Sequence, residues 1–214
     1  MYLAIEGIIG VGKTTLARLL QPIFDASLLL EVFEENPFLS DFYADRRRYA
    51  FQTQIFFLLS RYRHQRSGAP EAMARGSLIT DYTFAKDALF ARLNLQGDEL
   101  ATYFLLHEAL EERITPPELV VYLRVDTDLA LQRIARRDRP YERNIEPAYL
   151  ESLNQAYEDY FGRPCDRPVL AVDTNDFDFV TRPEDLAAIV RRIRDALGIP
   201  PYQPELPLHG GRSG

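Results

Sequence analysis

The sequence has 214 residues, and its 46% hydrophobic and 27% charged content is that of an ordinary globular protein. Its formal net charge of −7 argues against a nucleic-acid polymer as the main partner, because proteins that bind such polymers usually carry a net basic face. No stretch approaches the roughly 18 apolar residues of a membrane span, and the single cysteine favours a reducing compartment, so we expect a cytoplasmic protein without a membrane partner.

Short apolar runs alternate with longer helix-like stretches along the chain, which is typical of an α/β protein with a parallel sheet. The predicted strands are Tyr2–Glu6, Leu28–Phe33, Ser77–Thr80, Leu119–Leu123 and Val169–Val172. The predicted helices span Lys13–Leu20, about Arg46–Gln65, about Glu99–Ile114, Asp128–Arg137, Pro147–Phe161 and Pro183–Leu197. We therefore predict three layers, with a central five-stranded parallel sheet flanked by helices, in a single domain over residues 1–200. Residues 201–214 are predicted to be a flexible C-terminal tail, because the last six residues, 209–214, lack apolar side chains.

A phosphate-binding loop follows the first predicted strand. Residues 7–14, Gly-Ile-Ile-Gly-Val-Gly-Lys-Thr, match the P-loop pattern and lie between an apolar strand and a helix, as that motif requires. The glycines let backbone N–H groups close around phosphate oxygens, while Lys13 would neutralise phosphate charge and the Thr14 hydroxyl would hold Mg²⁺. The candidate ATP-binding residues of this loop are Gly7, Gly10, Gly12, Lys13, Thr14 and Thr15. The motif and its context indicate that the protein binds a nucleoside triphosphate.

A cluster of arginines lies at the end of the predicted helix Asp128–Arg137. Arg133 and Arg137 are four residues apart and share one helix face, and Arg136 and Arg139 extend the cluster. Phosphoryl transfer needs mobile cations that offset the charge on the transferred group and exclude water. The alternative is a solvated basic helix end that complements the helix dipole. Because the protein is acidic overall and concentrates arginine here, we interpret the segment as an arginine-rich lid.

Carboxylates follow two of the predicted strands. Glu34 and Glu35 lie at the end of the second strand, and Asp81 lies at the end of the third. Open α/β sheets bind ligands beyond the carboxyl ends of their strands, so these acids are candidates for aligning or deprotonating an acceptor hydroxyl. A carboxylate in such a position is also commonly a helix cap, but two of them beside a P-loop favour the catalytic interpretation.

Several segments together resemble the deoxyribonucleoside kinase family, especially its bacterial deoxyguanosine/deoxyadenosine kinase branch. The resemblance runs from Tyr2 to about Phe179 and includes the Ile-Glu pair before the P-loop and the run Glu-Glu-Asn-Pro-Phe-Leu at 34–39. It implies a P-loop kinase fold with a lid. It also implies that Glu34 is the base that takes the proton of the 5′-hydroxyl, with Glu35 as the fallback.

The same resemblance implies a nucleoside-binding site. Tyr43 and Gln54 are eleven residues apart, and Gln54 and Arg61 are seven apart, as in the family. By that match Tyr43 binds the sugar 3′-hydroxyl and Gln54 reads the base edge, while Asp87 selects the base as a partner of Arg61. Glu142 matches the family residue that contacts the 3′-hydroxyl.

On the donor side, the resemblance assigns three lid arginines, Arg133, Arg137 and Arg139, to the phosphates. It assigns Asp176 and Phe177 to the segment that packs on the adenine of ATP, with Arg137 stacking opposite.

The metal site shows one departure from the family pattern. Thr14 and Asp81 are the expected Mg²⁺ ligands, but the family commonly has an acid-Arg-Ser motif where this chain has Asp81-Tyr82-Thr83. The arginine contact to the phosphate and the 5′-oxygen is therefore absent, and Arg136 or the run Arg46–Arg48 is a candidate for replacing it.

The predicted function is a kinase that uses Mg²⁺ and transfers the γ-phosphate of ATP to the 5′-hydroxyl of a deoxynucleoside, expected to be a purine, in nucleotide salvage. Family members are typically homodimers, and the resemblance carries that expectation. Two alternatives stay open. A thymidylate-type nucleoside monophosphate kinase shares the fold and lid but needs basic residues for the acceptor phosphate, which Glu34 and Glu35 would repel. A catalytically silent nucleotide-binding subunit would be expected to lose Lys13, the strand-end acid or the lid arginines.

Overall fold

A five-stranded parallel sheet forms the centre of the molecule. The computed structural model describes residues 1–162 and 168–200, with the side chain of Glu34 excepted. The strands are β1 (Tyr2–Glu6), β2 (Ala26–Leu29), β3 (Ser77–Thr80), β4 (Leu119–Arg124) and β5 (Val169–Asp173), in the order β2-β3-β1-β4-β5. All neighbouring strands run parallel, so the predicted sheet is confirmed. The predicted tail at 201–214 lies outside the described residues.

Helices connect the strands. The α-helices are α1 (Lys13–Phe24), α2 (Leu39–Ala44), α3 (Arg46–Arg63), α4 (Ala69–Arg75), α5 (Ala85–Asn94), α6 (Gly97–Glu111), α7 (Thr127–Arg137), α8 (Pro147–Phe161) and α9 (Pro183–Ala196). Short 3₁₀ turns occupy Phe33–Glu35 and Pro140–Glu142, and a π-helical turn spans His64–Gly68. The sequence did not predict α2, α4 or α5. Within the described residues, no helix combines the length and apolarity needed to cross a membrane.

The core is built on largely apolar strands, of which β1 is buried along its whole length. All five residues of β1 are buried, and Ala4 pairs with Thr80 of β3 on one side and with Val120 of β4 on the other. Continuous burial is expected of a parallel strand that helices cover on both faces. On one of these faces, Tyr122 stacks with Tyr157 and Phe161 of α8.

The second strand ends earlier than the sequence predicted. β2 stops at Leu29 rather than at Phe33. The backbone then leaves the sheet because the N–H of Glu31 donates to Asp81 Oδ1 at 2.8 Å, and the 3₁₀ turn at Phe33–Glu35 follows. The first acid beyond this strand is therefore Glu31.

Candidate active site

The P-loop lies at the carboxyl end of β1 and needs its glycines for two reasons. Gly7, Gly10 and Gly12 have φ values of 143°, 87° and 108°, which L side chains rarely adopt. A Cβ on Gly7 would also lie 2.5 Å from the carbonyl oxygen of Leu123, and one on Gly10 would lie 2.8 Å from that of Ala130. The sequence folds this way because only glycine fits between the loop and its neighbours β4 and α7.

Lys13 is the first residue of α1, where the helix N-terminus favours anions. Its ammonium donates to the carbonyl oxygens of Gly7 at 2.8 Å and Ile8 at 3.0 Å. Burial, with a further contribution from the nearby Lys86 ammonium, lowers the pKa of Lys13 to about 8. Without a bound phosphate, the Lys13 ammonium therefore donates only to neutral carbonyl oxygens among the described residues.

Thr14 and Asp81 meet at the end of β3. The Thr14 hydroxyl donates to Asp81 Oδ2 at 2.5 Å, while Asp81 Oδ1 accepts the N–H of Glu31. A hydroxyl and a carboxylate are the hard oxygen donors that Mg²⁺ takes alongside substrate phosphates. Among the described residues, no group of three or more His, Cys, Asp or Glu is placed to hold a metal ion. These two residues fit Mg²⁺.

Glu31 is a largely buried carboxylate held by two cations. Its Oε1 accepts from Arg61 Nε at 2.8 Å and from Arg61 Nη2, and its Oε2 accepts from Lys86 Nζ at 2.5 Å. Burial alone would raise the pKa of Glu31, but the Arg61 guanidinium and the Lys86 ammonium outweigh it and hold this pKa well below its usual range. Glu31 is therefore ionised at neutral pH.

Arg61 connects this carboxylate to a second one. Its Nη1 donates to Oδ1 of Asp87, which is fully buried on α5. Burial raises the pKa of Asp87 to about 6, although the Arg61 charge opposes the shift. Among the described residues, Asp87 Oδ2 has no hydrogen-bond partner. Asp87 lies behind Arg61 and does not line the cavity described next.

A cleft of about 750 Å³, partly open to solvent, joins these groups and is called the acceptor cavity below. Aromatic side chains line much of it, and Gln54, which is 2% exposed, lies on its wall with no hydrogen-bond partner for Oε1 among the described residues. The sequence-predicted residues that line it are Gly10, Lys13, Thr14, Tyr43, Gln54, Arg61, Asp81, Arg137, Arg139 and Glu142.

A second cleft of about 1350 Å³, the donor cavity, lies on the other side of the P-loop. The sequence-predicted residues that line it are Gly10, Gly12, Thr15, Arg133, Arg137, Asp176 and Phe177, and Arg136 lines it as well. Gly10 and Arg137 line both cavities. A group bound at this junction could pass from one cavity to the other.

The lid arginines rest on protein groups. Arg137 donates to Glu142 Oε2 through Nε at 3.1 Å and Nη2 at 2.6 Å, and Arg139 lies 3.7 Å from the same carboxylate. Arg133 donates to the carbonyl oxygens of Val11 and Thr174. Neutral or shared acceptors of this kind can be exchanged for phosphate oxygens, which bind guanidinium groups strongly.

Sequence reasoning missed two charged residues of the site, Glu31 and Lys86. Glu31 falls inside the predicted second strand, which runs to Phe33, whereas the strand ends at Leu29. Lys86 lies on α5, which the sequence did not predict. The side chain of Glu34, the acid that the sequence favoured, lies outside what the structure describes, so its catalytic role stays a prediction.

This geometry defines a class of protein. The P-loop lies between a donor cavity, bordered by a charged lid, and a separate acceptor cavity that contains an ionised carboxylate. These features are typical of a P-loop phosphotransferase that acts on a small molecule.

Comparisons with known proteins identify the family within this class. The family model for deoxynucleoside kinases matches residues 3–197. The deoxyguanosine kinase of Bacillus subtilis (strain 168) is 32% identical over 201 residues, with 92% of this chain and 97% of that protein covered. The deoxyadenosine kinase of Dictyostelium discoideum is 34% identical over 195 residues, with 89% and 78% covered. The chain belongs to the deoxynucleoside kinase family.

Solved structures agree with this assignment. A deoxyadenosine kinase from M. mycoides, with dCMP and dCDP bound, superposes with a TM-score of 0.79 at 26% identity and covers 91% of this chain and 100% of that one. The predicted family, P-loop kinase fold and kinase activity are confirmed, and neither the thymidylate-type kinase nor the silent subunit gains support.

Proposed function

We propose that the protein transfers the γ-phosphoryl group of ATP to the 5′-hydroxyl of a deoxynucleoside, with a purine as the preferred base. The observation that carries this proposal is that the acceptor cavity contains both the P-loop lysine and an ionised carboxylate, Lys13 and Glu31. A kinase needs a cation for the phosphoryl group and a carboxylate for the acceptor hydroxyl on facing sides of one reaction centre.

Glu31 is proposed as the group that receives the hydroxyl proton. The 5′-oxygen attacks the γ-phosphorus, the new P–O bond forms as the bond to the β–γ bridging oxygen breaks, and ADP leaves with that electron pair. The hydroxyl proton passes to the Glu31 carboxylate. Glu31 is ionised at neutral pH and is fixed by Arg61, so the acceptor is oriented before the phosphoryl group arrives.

The remaining cations are proposed to stabilise the charge on the phosphates. Arg137 lines both cavities, Lys13 and Arg139 line the acceptor cavity, and Arg133 lines the donor cavity. Charges on these groups contribute most to stabilising the phosphates if water is excluded. Thr14 and Asp81 would hold Mg²⁺, which neutralises phosphate charge when bound. Asp176 and Phe177 on the donor-cavity wall are proposed to contact the adenine of ATP.

The purine preference rests on Gln54, on the wall of the acceptor cavity, and on Asp87, which lies behind Arg61. Gln54 Oε1 and Asp87 Oδ2 are buried acceptors without partners among the described residues, and purine bases offer amine and ring N–H donors. Tyr43 and Glu142 line the same cavity and are proposed to bind the sugar 3′-hydroxyl. The matched relatives include a deoxyguanosine kinase and a deoxyadenosine kinase.

We further propose that the protein is cytoplasmic and forms a homodimer. The dimer is supported by an apolar surface on α6, where the adjacent side chains of Leu105 and Leu106 are 71% and 43% exposed. Leu105→Glu should convert the dimer to a monomer in light scattering, and an unchanged mass would contradict this surface as the interface.

The proposed reaction is tested by measuring ADP release and product formation with deoxyguanosine, deoxyadenosine, deoxycytidine, thymidine and deoxythymidine monophosphate as acceptors. We expect a 5′-monophosphate product, with the highest kcat/KM for a purine deoxynucleoside. Activity with the monophosphate alone would refute the proposal, and a higher kcat/KM for a pyrimidine would refute only the base preference.

A further inference from the structure

Lys86 is a buried cation inside the acceptor cavity. Its side chain lines that cavity together with Lys13, and the residue is only 7% exposed. Its ammonium donates to Glu31 Oε2 at 2.5 Å and lies 5.6 Å from the centre of the Phe90 ring. Glu31 is its only hydrogen-bond acceptor among the described residues, so two of its three N–H groups have none.

The use of lysine in this chain is unusual. Lys13 and Lys86 are the only lysines among the 25 lysine and arginine residues of the sequence. Lysine carries a compact point charge, whereas the arginine guanidinium is a wide planar fork. The chain uses arginine at every other cationic position, and both lysines line the same cavity. This distribution indicates that position 86, like the P-loop position, requires a compact ammonium.

The other cations that line the acceptor cavity are engaged away from the proposed base. The Arg61 guanidinium is held by two carboxylates, Arg137 and Arg139 belong to the lid and lie beside Glu142, and Lys13 donates to two P-loop carbonyl oxygens. Of the residues that the sequence suggested as replacements for a missing arginine, Arg136 lines the donor cavity and Arg46 pairs with a surface glutamate. Among these cations, Lys86 is bound directly to the proposed base and keeps N–H donors that no described residue accepts.

We propose, on the basis of the kinase function above, that Lys86 is a second catalytic cation that binds the phosphoryl group from the acceptor side. One N–H holds the Glu31 carboxylate, and another donates to an equatorial oxygen of the phosphoryl group as it reaches the 5′-oxygen. Lys13 contacts the same group from the P-loop, so the group lies between two ammonium charges. Donors of this kind lower the barrier because they bind more strongly as the charge relocates.

Two substitutions test the charge and its shape. Lys86→Met should lower kcat by about 10²–10³-fold, the usual cost of removing one such donor, while KM for ATP changes less than about threefold because the P-loop and lid remain. Lys86→Arg should recover at least about tenfold of this loss and stay below the wild type. Arg92→Met, which removes an exposed cation from the same helix, is the matched control and should leave kcat unchanged.

The split between kcat and the acceptor KM separates contact from packing. Because the proposed contact forms as the phosphoryl group reaches the 5′-oxygen, Lys86→Met should lower kcat while KM for the deoxynucleoside changes less than about threefold. Loss of packing in the cavity would raise that KM as well. The proposal is wrong if Lys86→Met keeps kcat within about threefold, or if Lys86→Arg is no better than Lys86→Met. Wild-type activity is measured in parallel, so its absence would count against the kinase function itself.

A measurement on a chain that keeps Lys86 covers the case in which the Lys86 variants do not fold. Lysine labelled with ¹³C at the ε-carbon should give two NMR signals, one for each lysine, and Lys13→Arg assigns them. The Lys86 signal should shift when the 5′-monophosphate product is added, because its phosphate lies beside that ammonium. A product-induced shift confined to Lys13 would overturn the proposal.

Discussion

Replacing Glu31 by glutamine removes the proposed proton acceptor and keeps the size of the side chain. General base catalysis contributes about 10²–10⁴-fold. Because Arg61 and Lys86 hold the pKa of Glu31 well below its usual range, the carboxylate is a weak base and its contribution should lie in the lower part of that span. We therefore expect Glu31→Gln to lower kcat by about 10²–10³-fold, or about 2.7–4 kcal/mol in transition-state free energy.

The assay is ADP release with direct chromatography of the nucleoside monophosphate, at saturating ATP. KM for ATP should stay within about threefold, since Lys13 and the lid are unchanged. Glu34→Gln and Glu35→Gln test the two acids that the sequence favoured and should cost less than Glu31→Gln, while the exposed Glu112→Gln serves as the control. The reasoning is refuted if Glu34→Gln loses 10²-fold or more and Glu31→Gln loses less than tenfold.

Three further predictions concern pH, base selection and stability. Since Lys13 must be protonated to bind phosphate and its pKa in the free protein is about 8, kcat/KM for ATP should be level below that pH and fall as pH rises through it, and a level profile to about pH 10 would contradict this. Asp87→Asn removes the negative charge that binds Arg61, so it should reduce kcat/KM for the preferred purine roughly tenfold or more. The ratio of kcat/KM between that purine and the other nucleosides should fall as well, and equal losses across the four nucleosides would argue against base selection. Leu153→Ala empties a fully buried position on α8 and should cost about 2–5 kcal/mol in urea unfolding; a cost below about 1 kcal/mol would mean that the site collapses around the smaller side chain.

The sequence predicts those features whose chemistry is local. The P-loop could be identified because its glycines, lysine and threonine have fixed spacing. The backbone of Leu123 lies too close to Gly7, and that of Ala130 too close to Gly10, for any residue with a Cβ to fit at these two positions. The continuous apolar run of β4 likewise predicts a strand buried on both faces.

Features that depend on tertiary contacts could not be predicted. The end of β2 is determined by the hydrogen bond from the Glu31 N–H to Asp81, fifty residues away in sequence. Strand propensity alone predicts a longer strand, because it carries no information about this contact. The position of Lys86 required knowledge that α5 packs beneath the cavity. One feature of the sequence does indicate Lys86, because it is the single lysine of the chain outside the P-loop.

The scarcity of lysine has a practical consequence for handling the protein. Acylating dyes, amine crosslinkers and amine-coupled sensor surfaces react with primary amines, and guanidinium groups do not serve them. Here the N-terminus and two cavity residues, Lys13 and Lys86, are the only such amines in the sequence. Reagents that modify primary amines would therefore react at the reaction centre of this enzyme. Bound substrate should protect both lysines from labelling.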